Sequence, residues 1–299
     1  MDAIESNWKT HDGLTIFARD WLPEQEPTGV ICLVHGLGEH SGRYDHVADR
    51  LVTAGYAVMA FDLRGHGRSS GKRGHALSAE QLHEDMDILV QKAKKRFPST
   101  PVFLYGHSLG GILTLSYTLS KKPDLAGVIV TGLAVRTALQ QQKLKIAMAK
   151  ILGRIIPEVT LPSGLEPASI CSDPGVVDGY ICDPLVHDRI SFGMSILLLR
   201  EIERLISRAP EFHLPLLVMH GRNDRLGYPE GSEEFAAQVR GDCTLKIWEG
   251  MSHEIHNEPG KDRVFDFLID WLDNHRAVSG VPSGQSLNLV AKFGGDSKE

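Results

Sequence analysis

Six short runs rich in β-branched and other apolar residues alternate along the chain with stretches of helical periodicity. The runs are 29–36 (GVICLVHG), 56–62 (YAVMAFD), 101–108 (PVFLYGHS), 125–132 (LAGVIVTG), 214–221 (LPLLVMHG) and 243–250 (CTLKIWEG). Near-continuous apolar runs of this length are typical of strands buried on both faces of a parallel sheet. Between them, the stretch 78–96 opens with Ser78 and carries Leu82, Met86 and Leu89 at helical spacing. The alternation predicts an α/β fold with a doubly wound, mostly parallel sheet.

Two segments depart from this alternation. Residues 14–23 (LTIFARDWLP) alternate well enough to predict an antiparallel edge hairpin, which brings the expected sheet to about eight strands. Residues 133–212 contain helical patterns but no strand-like run. Because open α/β sheets bind ligands at the carboxyl ends of their strands, we interpret this insertion as a helical cap over a site there.

The predicted organisation has three parts. A core comprises residues 1–132 and 213–276, and a cap comprises residues 133–212. The Gly- and Ser-rich residues 277–299 follow a final helix and are interpreted as a flexible tail or the remnant of an added sequence.

Charge and cysteine usage exclude several classes of protein. The formal net charge of −6 arises from charges of both signs spread along the chain, and no basic stripe indicates a nucleic-acid partner. The first residues, MDAIESNWKT, lack the pattern of a signal peptide, which makes a cytoplasmic protein the expectation. The four cysteines have no C-x-x-C spacing, so we expect neither disulfides nor a structural metal.

The strongest chemical motif is Gly106-His107-Ser108-Leu109-Gly110, which fits G-x-S-x-G. It follows an apolar strand-like run and precedes a helical pattern, which is the context that the motif requires. The glycines permit a tight turn that presents the Ser108 hydroxyl above the sheet, beside a helix N-terminus. An ordinary Gly-Ser turn is the alternative, and the strand–turn–helix context argues against it.

A serine hydroxyl needs a base to take its proton and a carboxylate to orient that base, in the chain order Ser, acid, His. Asp224 follows the fifth apolar run, and His253 follows the sixth. We therefore predict that Ser108 is the nucleophile, His253 the general base and Asp224 the orienting acid. Other candidates for the acid and the base are better suited to solvated, capping or substrate-facing roles: Asp62, Asp173, Asp178, Asp183, Asp188, His256 and His275.

An oxyanion hole in this arrangement uses the amide after the nucleophile and one from the loop after an earlier strand. These amides belong to Leu109 and to Leu37, the latter within His35-Gly36-Leu37-Gly38. His35 itself is interpreted as holding the loop through hydrogen bonds.

Several segments resemble the monoacylglycerol lipase and lysophospholipase-like family of α/β-hydrolases. They are 35–44 (HGLGEHSGRY), 61–75 (FDLRGHGRSSGKRGH), 106–111 (GHSLGG), 221–226 (GRNDRL) and 251–259 (MSHEIHNEP). The resemblance covers about residues 10–275 and is loosest in the cap. It implies the α/β-hydrolase fold, no cofactor, and hydrolysis of monoacylglycerol to glycerol and fatty acid.

The resemblance also implies substrate-binding residues. Glu39, Arg43 and His256 match family positions near the glycerol end, and Tyr180 matches a cap tyrosine that faces the substrate. An internal Glu39–Arg43 ion pair that braces the loop is the alternative role, and both roles are compatible.

Three points about function stay open. A carboxylesterase or lysophospholipase shares the triad, and a non-catalytic ligand-binding protein can share the fold. A dehalogenase or an epoxide hydrolase of this fold would need an aspartate at position 108, so Ser108 argues against both. A helix predicted at 137–156, with lysines beside an apolar face, suits peripheral contact with a membrane, although packing on the core is the commoner role.

Overall fold

A computed structural model describes residues 2–137 and 143–276. Its strands are β1 (Ile4–Lys9), β2 (Thr15–Trp21), β3 (Gly29–Val34), β4 (Tyr56–Phe61), β5 (Val102–His107), β6 (Gly127–Thr131), β7 (Thr160–Pro162), β8 (Arg189–Ser191), β9 (Leu216–Gly221) and β10 (Cys243–Trp248). Its α-helices are α1 (Asp45–Thr53), α2 (Ala79–Arg96), α3 (Leu109–Lys121), α4 (Lys143–Ile155), α5 (Pro174–Cys182), α6 (Phe192–Arg208), α7 (Pro229–Gln238) and α8 (Asp262–His275).

Eight strands form one sheet in the order β1-β2-β4-β3-β5-β6-β9-β10. β1 pairs antiparallel with β2, and β2 pairs antiparallel with β4, whereas the remaining neighbours are parallel. The six predicted apolar runs are β3, β4, β5, β6, β9 and β10. Residues 14–23, predicted to form an edge hairpin, contain β2, which pairs antiparallel with the edge strand β1. The predicted mostly parallel sheet of about eight strands is therefore confirmed.

The sheet separates two apolar layers, and this explains why its central strands are apolar at every position. One layer packs β-strand side chains such as Val34 and Leu104 against helices α2 and α3. The other packs Leu33 and Phe103 against α1 and α8. Alternate residues of one strand thus enter opposite layers, so no position of β3 or β5 faces water.

Helix α2 shows how local sequence signals set the element boundaries. The Ser78 side chain accepts a hydrogen bond from the Gln81 amide at 3.3 Å, which caps the helix N-terminus. Leu82, Met86 and Leu89 lie on its buried face, as their helical spacing predicts.

The segment between β6 and β9, called the cap segment below and comprising residues 133–212, carries α4, α5 and α6. It also contains the short antiparallel pair β7–β8, joined at Thr160 and Ser191, so the insertion is mainly helical and carries one strand pair that the sequence did not predict. Three-residue strands are too short to show a period of two, and this explains why no pattern in the sequence indicates them.

Two parts of the predicted organisation fall wholly or partly outside the described residues. The first is the tail at 277–299. The second is the start of the helix predicted at 137–156, since residues 138–142 are not described and α4 begins at Lys143. Within the part of the chain that the structure describes, no helix is both long and apolar enough to cross a bilayer.

Candidate active site

Ser108 lies between the end of β5 and the start of α3, in a strained conformation with φ 53° and ψ −113°. A positive φ is uncommon for a non-glycine residue and costs about 1–3 kcal/mol, so the surrounding structure must enforce it. A Cβ on Gly106 would lie 2.3 Å from the Gly110 carbonyl oxygen, and one on Gly110 would lie 2.1 Å from that of Val34. The two glycines of the motif are therefore required by close backbone approach.

His253 and Asp224 form a buried pair at the carboxyl end of the sheet. His253 Nδ1 lies 2.6 Å from Asp224 Oδ2, and the loops that carry them follow β10 and β9. Asp224 Oδ1 accepts hydrogen bonds from the amides of Leu226 at 2.8 Å and Gly227 at 3.0 Å. Because Nδ1 is engaged by the carboxylate, Nε2 is the nitrogen left to interact with a serine hydroxyl.

The protonation of this pair follows from burial and mutual charge. Burial alone would raise the pKa of Asp224, but attraction to His253 and hydrogen bonds from His220 and His253 hold it well below the usual 3.8. Burial alone would lower the pKa of His253, yet the Asp224 carboxylate raises it above 6.5. The geometry thus keeps the Asp224 carboxylate ionised. It also stabilises the imidazolium that forms when His253, acting as a general base, accepts a proton.

His220 is a part of this arrangement that the sequence analysis missed. Its Nε2 lies 2.8 Å from Asp224 Oδ2 and 2.9 Å from the Gly227 carbonyl oxygen, so Nε2 carries the donated proton. Its Nδ1 lies 2.7 Å from Ser232 Oγ. The side chain is fully buried and fixes the loop that presents Asp224. The available signal was a histidine at the end of an apolar strand, four positions before the acid.

The loop of Gly36 and Leu37 lies directly against the elbow of Ser108. A Cβ on Gly36 would lie 3.4 Å from Ser108 Cβ. Among the hydrogen bonds of the described residues, neither the Leu37 amide nor the Leu109 amide has an acceptor. His35 donates from Nδ1 to the Gly36 carbonyl oxygen at 2.7 Å, and its Nε2 accepts from the Leu63 amide at 2.9 Å. The histidine therefore holds the loop, and two amides are available to an oxyanion.

Glu39 and Arg43, the residues expected near a glycerol group, form an ion pair with each other. Arg43 Nη1 lies 2.7 Å from Glu39 Oε2 and 2.6 Å from Oε1 of Glu254, a residue that the sequence analysis did not single out. The Tyr180 ring covers the guanidinium, with its centroid 4.8 Å from Arg43 Cζ. The attraction of Arg43 outweighs burial and lowers the pKa of Glu39. The alternative role of this pair, an internal ion pair that braces the loop, is therefore present in the structure.

His256 lies behind the site rather than on its surface. It is 1% exposed and stacks on Tyr44 at 5.0 Å, with the ring of His107 at 4.9 Å on another side. It is not among the residues that line the cavity at Ser108. Burial and neighbouring positive groups keep its pKa well below 6.5, so the ring is neutral.

Most of the rival carboxylates and imidazoles have structural partners of their own. Asp62 accepts from the Ser41 amide and from the Arg68 amide, both at 2.8 Å, and thereby orders two loops. Asp173 caps α5, Asp183 pairs with His40, Asp188 pairs with Arg189, and His275 pairs with Asp242. Across residues 2–137 and 143–276, no cluster of three or more His, Cys, Asp or Glu side chains is arranged to hold a metal ion.

A small cavity joins the predicted catalytic residues to the cap segment. Its volume is about 20 Å³, and its lining includes Leu37, Ser108 and His253 from the sheet side and Leu165, Ile170 and Tyr180 from the cap segment. Such a space holds about one water molecule. A larger cavity of about 610 Å³ is lined by residues that include Ser172 and Arg225, and of the three predicted catalytic residues only Asp224 lines it. The smaller cavity is therefore the one relevant to chemistry at Ser108.

Comparison with known sequences gives a consistent set of relatives. The family model Hydrolase_4, described as serine aminopeptidase, S33, matches residues 25–260. A monoacylglycerol lipase of Mycolicibacterium smegmatis is 36% identical over 265 residues, which cover 88% of this chain and 94% of the relative. An uncharacterised abhydrolase domain-containing protein of Dictyostelium discoideum is 41% identical over 275 residues. That match covers 91% of this chain but only 29% of the longer Dictyostelium protein.

Comparison with solved structures leads to the same group. The crystal structure of a monoacylglycerol lipase from Paleococcus ferrophilus superposes with a TM-score of 0.78 at 33% identity. The superposition covers 92% of this chain and all of that one. The order and pairing of the strands are therefore those of the α/β-hydrolase fold.

Proposed function

The chain belongs to the Hydrolase_4 family and is a serine ester hydrolase, and we propose that its substrate is a monoacylglycerol, which it cleaves to glycerol and fatty acid. The resemblance to monoacylglycerol lipases noted in the motifs is confirmed at the level of the family. One observation carries the chemical part of the proposal. Ser108, in a strained elbow, shares a cavity with His253, which is held by the ionised Asp224.

We propose an acyl-enzyme mechanism for these residues. His253 takes the Ser108 proton as Oγ attacks the ester carbonyl carbon, and the amides of Leu37 and Leu109 bind the oxygen that becomes negative. The tetrahedral species collapses when His253 gives its proton to the glycerol oxygen, and glycerol leaves. His253 then takes a proton from water, the hydroxide attacks the acyl carbon, and the fatty acid leaves as Ser108 regains its proton.

The polar end of the cavity supports a glycerol leaving group. Glu39 and Tyr180 line it, and Arg43 lies directly behind them. We propose that Glu39 and Tyr180 contact the glycerol hydroxyls. Arg43 already binds two carboxylates, and His256 does not line the cavity, so we assign both an indirect influence on this end.

Substrate entry requires the cap segment to move, because a cavity of about 20 Å³ holds about one water molecule and no acyl chain. Leu165, Ile170 and Tyr180 form the cap side of that cavity. We propose that residues 133–212 act as a cap whose displacement opens an apolar channel between Leu165, Ile170 and Leu226.

The outer surface of the cap segment supports contact with a lipid surface. It exposes several large apolar side chains: Ile151 at 59%, Ile155 at 71%, Ile156 at 40%, Leu161 at 46% and Ile181 at 60%. Ile151 and Ile155 lie one turn apart on α4 and therefore share one face of that helix, and a monoacylglycerol partitions into membranes. We propose that this face rests on the bilayer from which the substrate is taken.

The experiment that tests the proposal is a substrate panel with wild type and Ser108→Ala in parallel. It compares monoacylglycerols of graded chain length with diacylglycerols, lysophospholipids and short-chain esters. Preference for monoacylglycerols, lost in the variant, supports the proposal. Preference for lysophospholipids or simple esters would show that the substrate assignment is wrong while the acyl-enzyme mechanism stands. Binding without turnover would favour a non-catalytic ligand-binding protein.

A further inference from the structure

The residue that follows the proposed general base is a buried glutamate, Glu254, with 3% of its surface exposed. Both of its carboxylate oxygens bind the same guanidinium. Arg43 Nη1 lies 2.6 Å from Oε1, and Nη2 lies 2.8 Å from Oε2. Asn257 Nδ2 also donates to Oε2, at 2.7 Å. A bidentate contact of this kind fixes the orientation of both groups as well as their distance.

The other side of Arg43 leads to the loop that carries the proposed oxyanion amide. Nη1 binds Glu39 Oε2 at 2.7 Å, and Glu39 Oε1 accepts from the Gly36 amide at 2.6 Å. Gly36 immediately precedes Leu37. The three side chains Glu39, Arg43 and Glu254, called the carboxylate brace below, thus connect two loops that lie about 210 positions apart in sequence.

The brace is costly to bury, which indicates a purpose other than stability. Taking ions out of water costs several kcal/mol each, and apolar residues of similar volume are often as stable or more stable there. In the brace, every carboxylate oxygen has a donor, Tyr44 supplying a second one to Glu39 Oε1 at 2.8 Å. Fully satisfied networks of this kind specify one arrangement of the groups that they join.

The cap segment also rests on the brace. The Tyr180 ring covers the Arg43 guanidinium at 4.8 Å, and the Glu254 amide donates to the Ile170 carbonyl oxygen at 2.8 Å. Both cap residues line the cavity at Ser108. The brace is therefore the place where three parts of the chain meet: the loop of Leu37, called the oxyanion loop below, the loop of His253, and the cap segment.

We propose that Glu254 is a positioning residue for acyl transfer, which, through Arg43 and Glu39, sets the amide of Leu37 in place relative to His253. The inference rests on the proposed roles of Ser108, His253 and Leu37 but not on the identity of the leaving group. A shift of the oxyanion loop by about 1 Å is enough to cost about 100-fold in rate.

Glu254 also acts on the charge of the catalytic imidazole. The titratable groups that face His253 are Asp224, Glu254, Glu39, His107 and His256. Burial lowers the pKa of His253, and the three carboxylates raise it, Asp224 most strongly. Loss of the Glu254 charge therefore lowers the pKa of His253.

The test compares Glu254→Gln and Glu254→Asp with wild type on a soluble short-chain ester such as p-nitrophenyl butyrate. For Glu254→Gln we expect kcat to fall about 10- to 100-fold with KM changed less than about 3-fold, because a displaced loop impairs the transition state. The acid limb of the pH profile of kcat/KM moves to lower pH, because loss of the Glu254 charge lowers the pKa of His253. The rate of labelling by a fluorophosphonate falls in parallel, since its adduct needs the same oxyanion amides.

Glu254→Asp separates position from charge. The shorter side chain cannot hold both guanidinium nitrogens, so kcat falls about 3- to 10-fold, while the acid limb stays at the wild-type pH because the charge is kept. This variant carries the test if Glu254→Gln does not fold. Unchanged kcat and unchanged labelling in either folded variant would overturn the proposal.

Glu258→Gln is the matched control for stability. Glu258 is 2% exposed, lies on the same loop and accepts from the amides of Ser252 at 2.8 Å and Ser172 at 3.0 Å, but it does not touch Arg43. We expect a comparable loss of thermal stability, a loss of kcat below about 3-fold and an unmoved acid limb. Equal losses of kcat in Glu254→Gln and Glu258→Gln, both with unmoved acid limbs, would show a merely structural role.

The same variants measured on a monoacylglycerol distinguish positioning from a glycerol contact. Positioning predicts a loss on both substrates, at least as large on the monoacylglycerol because the brace also holds Glu39 and Tyr180, whereas a loss confined to the monoacylglycerol would overturn it. If the wild type hydrolyses the short ester but no monoacylglycerol, the proposed substrate fails, and the loss on the short ester still supports the role of Glu254.

Discussion

The loops at the carboxyl ends of β5, β9 and β10 and the cap segment that covers them are built differently. Asp224 is held by four hydrogen-bond donors, from His220, His253, Leu226 and Gly227, and all of its carboxylate surface is buried. The outer face of the cap segment instead exposes large apolar side chains such as Ile155. The contrast teaches that the loops around Asp224 are held in one geometry, whereas the exposed apolar surface of the cap segment is the part that we propose to contact a bilayer.

The largest expected effect is that of Ser108→Ala. We expect kcat to fall by about 10⁴-fold or more, because the rest of the machinery acts only through this hydroxyl. Thermal stability stays near that of wild type, and Ser108→Gly raises it, since glycine adopts a φ of 53° without strain. Steady-state kinetics and thermal unfolding measure both effects.

Ser207→Ala, on the exposed face of α6, is the control for this change. It should retain wild-type kcat. Residual activity of Ser108→Ala above about one hundredth of wild type would contradict the assignment of the nucleophile.

Asp224→Asn tests the fixed geometry of the loops that follow β9 and β10. An amide cannot hold His253 in the required tautomer, so kcat falls about 10⁴-fold. The acid limb of the profile moves to lower pH, because the carboxylate that raises the pKa of His253 is gone. Asp242→Asn, in an exposed pair with His275, serves as control. Full activity of Asp224→Asn would mean that another group orients the base.

The difference between the two regions also explains what the sequence could predict. The placement of Ser108, Asp224 and His253 could be predicted because each of them ends or closely follows an apolar run. Parallel strands bring such residues to one edge of the sheet. The contacts of Glu254 with Arg43 were not, since no local pattern reports a pairing between loops so far apart in sequence. β7 and β8 were missed because each has three residues and pairs across the cap segment.

His220→Ala tests whether the loop that follows β9 depends on buried partners other than Ser108, His253 and Asp224. Removing the ring leaves Asp224, Gly227 and Ser232 each without one partner, so we expect the free energy of unfolding to fall by about 1–3 kcal/mol. Because Asp224 is displaced once it loses His220, kcat falls by up to about 100-fold. Chemical denaturation and kinetics measure the two effects. The exposed His213→Ala is the control, and a His220→Ala enzyme that matches it in both respects would remove His220 from the account.

The pH dependence of wild type gives a smaller effect. Since Asp224 raises the pKa of His253 above 6.5, kcat/KM should fall about tenfold per pH unit below an apparent pKa higher than that value. The same shift stabilises the fold: its contribution is complete below pH 6.5 and is lost as pH rises through the folded-state pKa. Rate profiles on a soluble ester measure the limb, and a limb centred below pH 6 would contradict the electrostatic reading.

The smallest effect belongs to the cap segment. We expect the double change Ile151→Ser and Ile155→Ser to leave hydrolysis of a soluble ester within about 2-fold, since both side chains are exposed, while binding to phospholipid vesicles weakens several-fold. Sedimentation with vesicles measures binding. Ile4→Ser, 52% exposed on the edge strand β1, is the matched control. Equal binding by all variants would assign the apolar face of the cap to another partner.

The central claim, that Ser108 is the nucleophile activated by His253 and Asp224, is tested most directly by covalent titration. Wild type, Ser108→Ala and Asp224→Asn are treated with a fluorophosphonate, and the labelled residue is located by peptide mass spectrometry. The account predicts one equivalent of label on Ser108 in wild type, none in Ser108→Ala and much slower labelling in Asp224→Asn. Label on a different residue, or label that persists in Ser108→Ala, would contradict it.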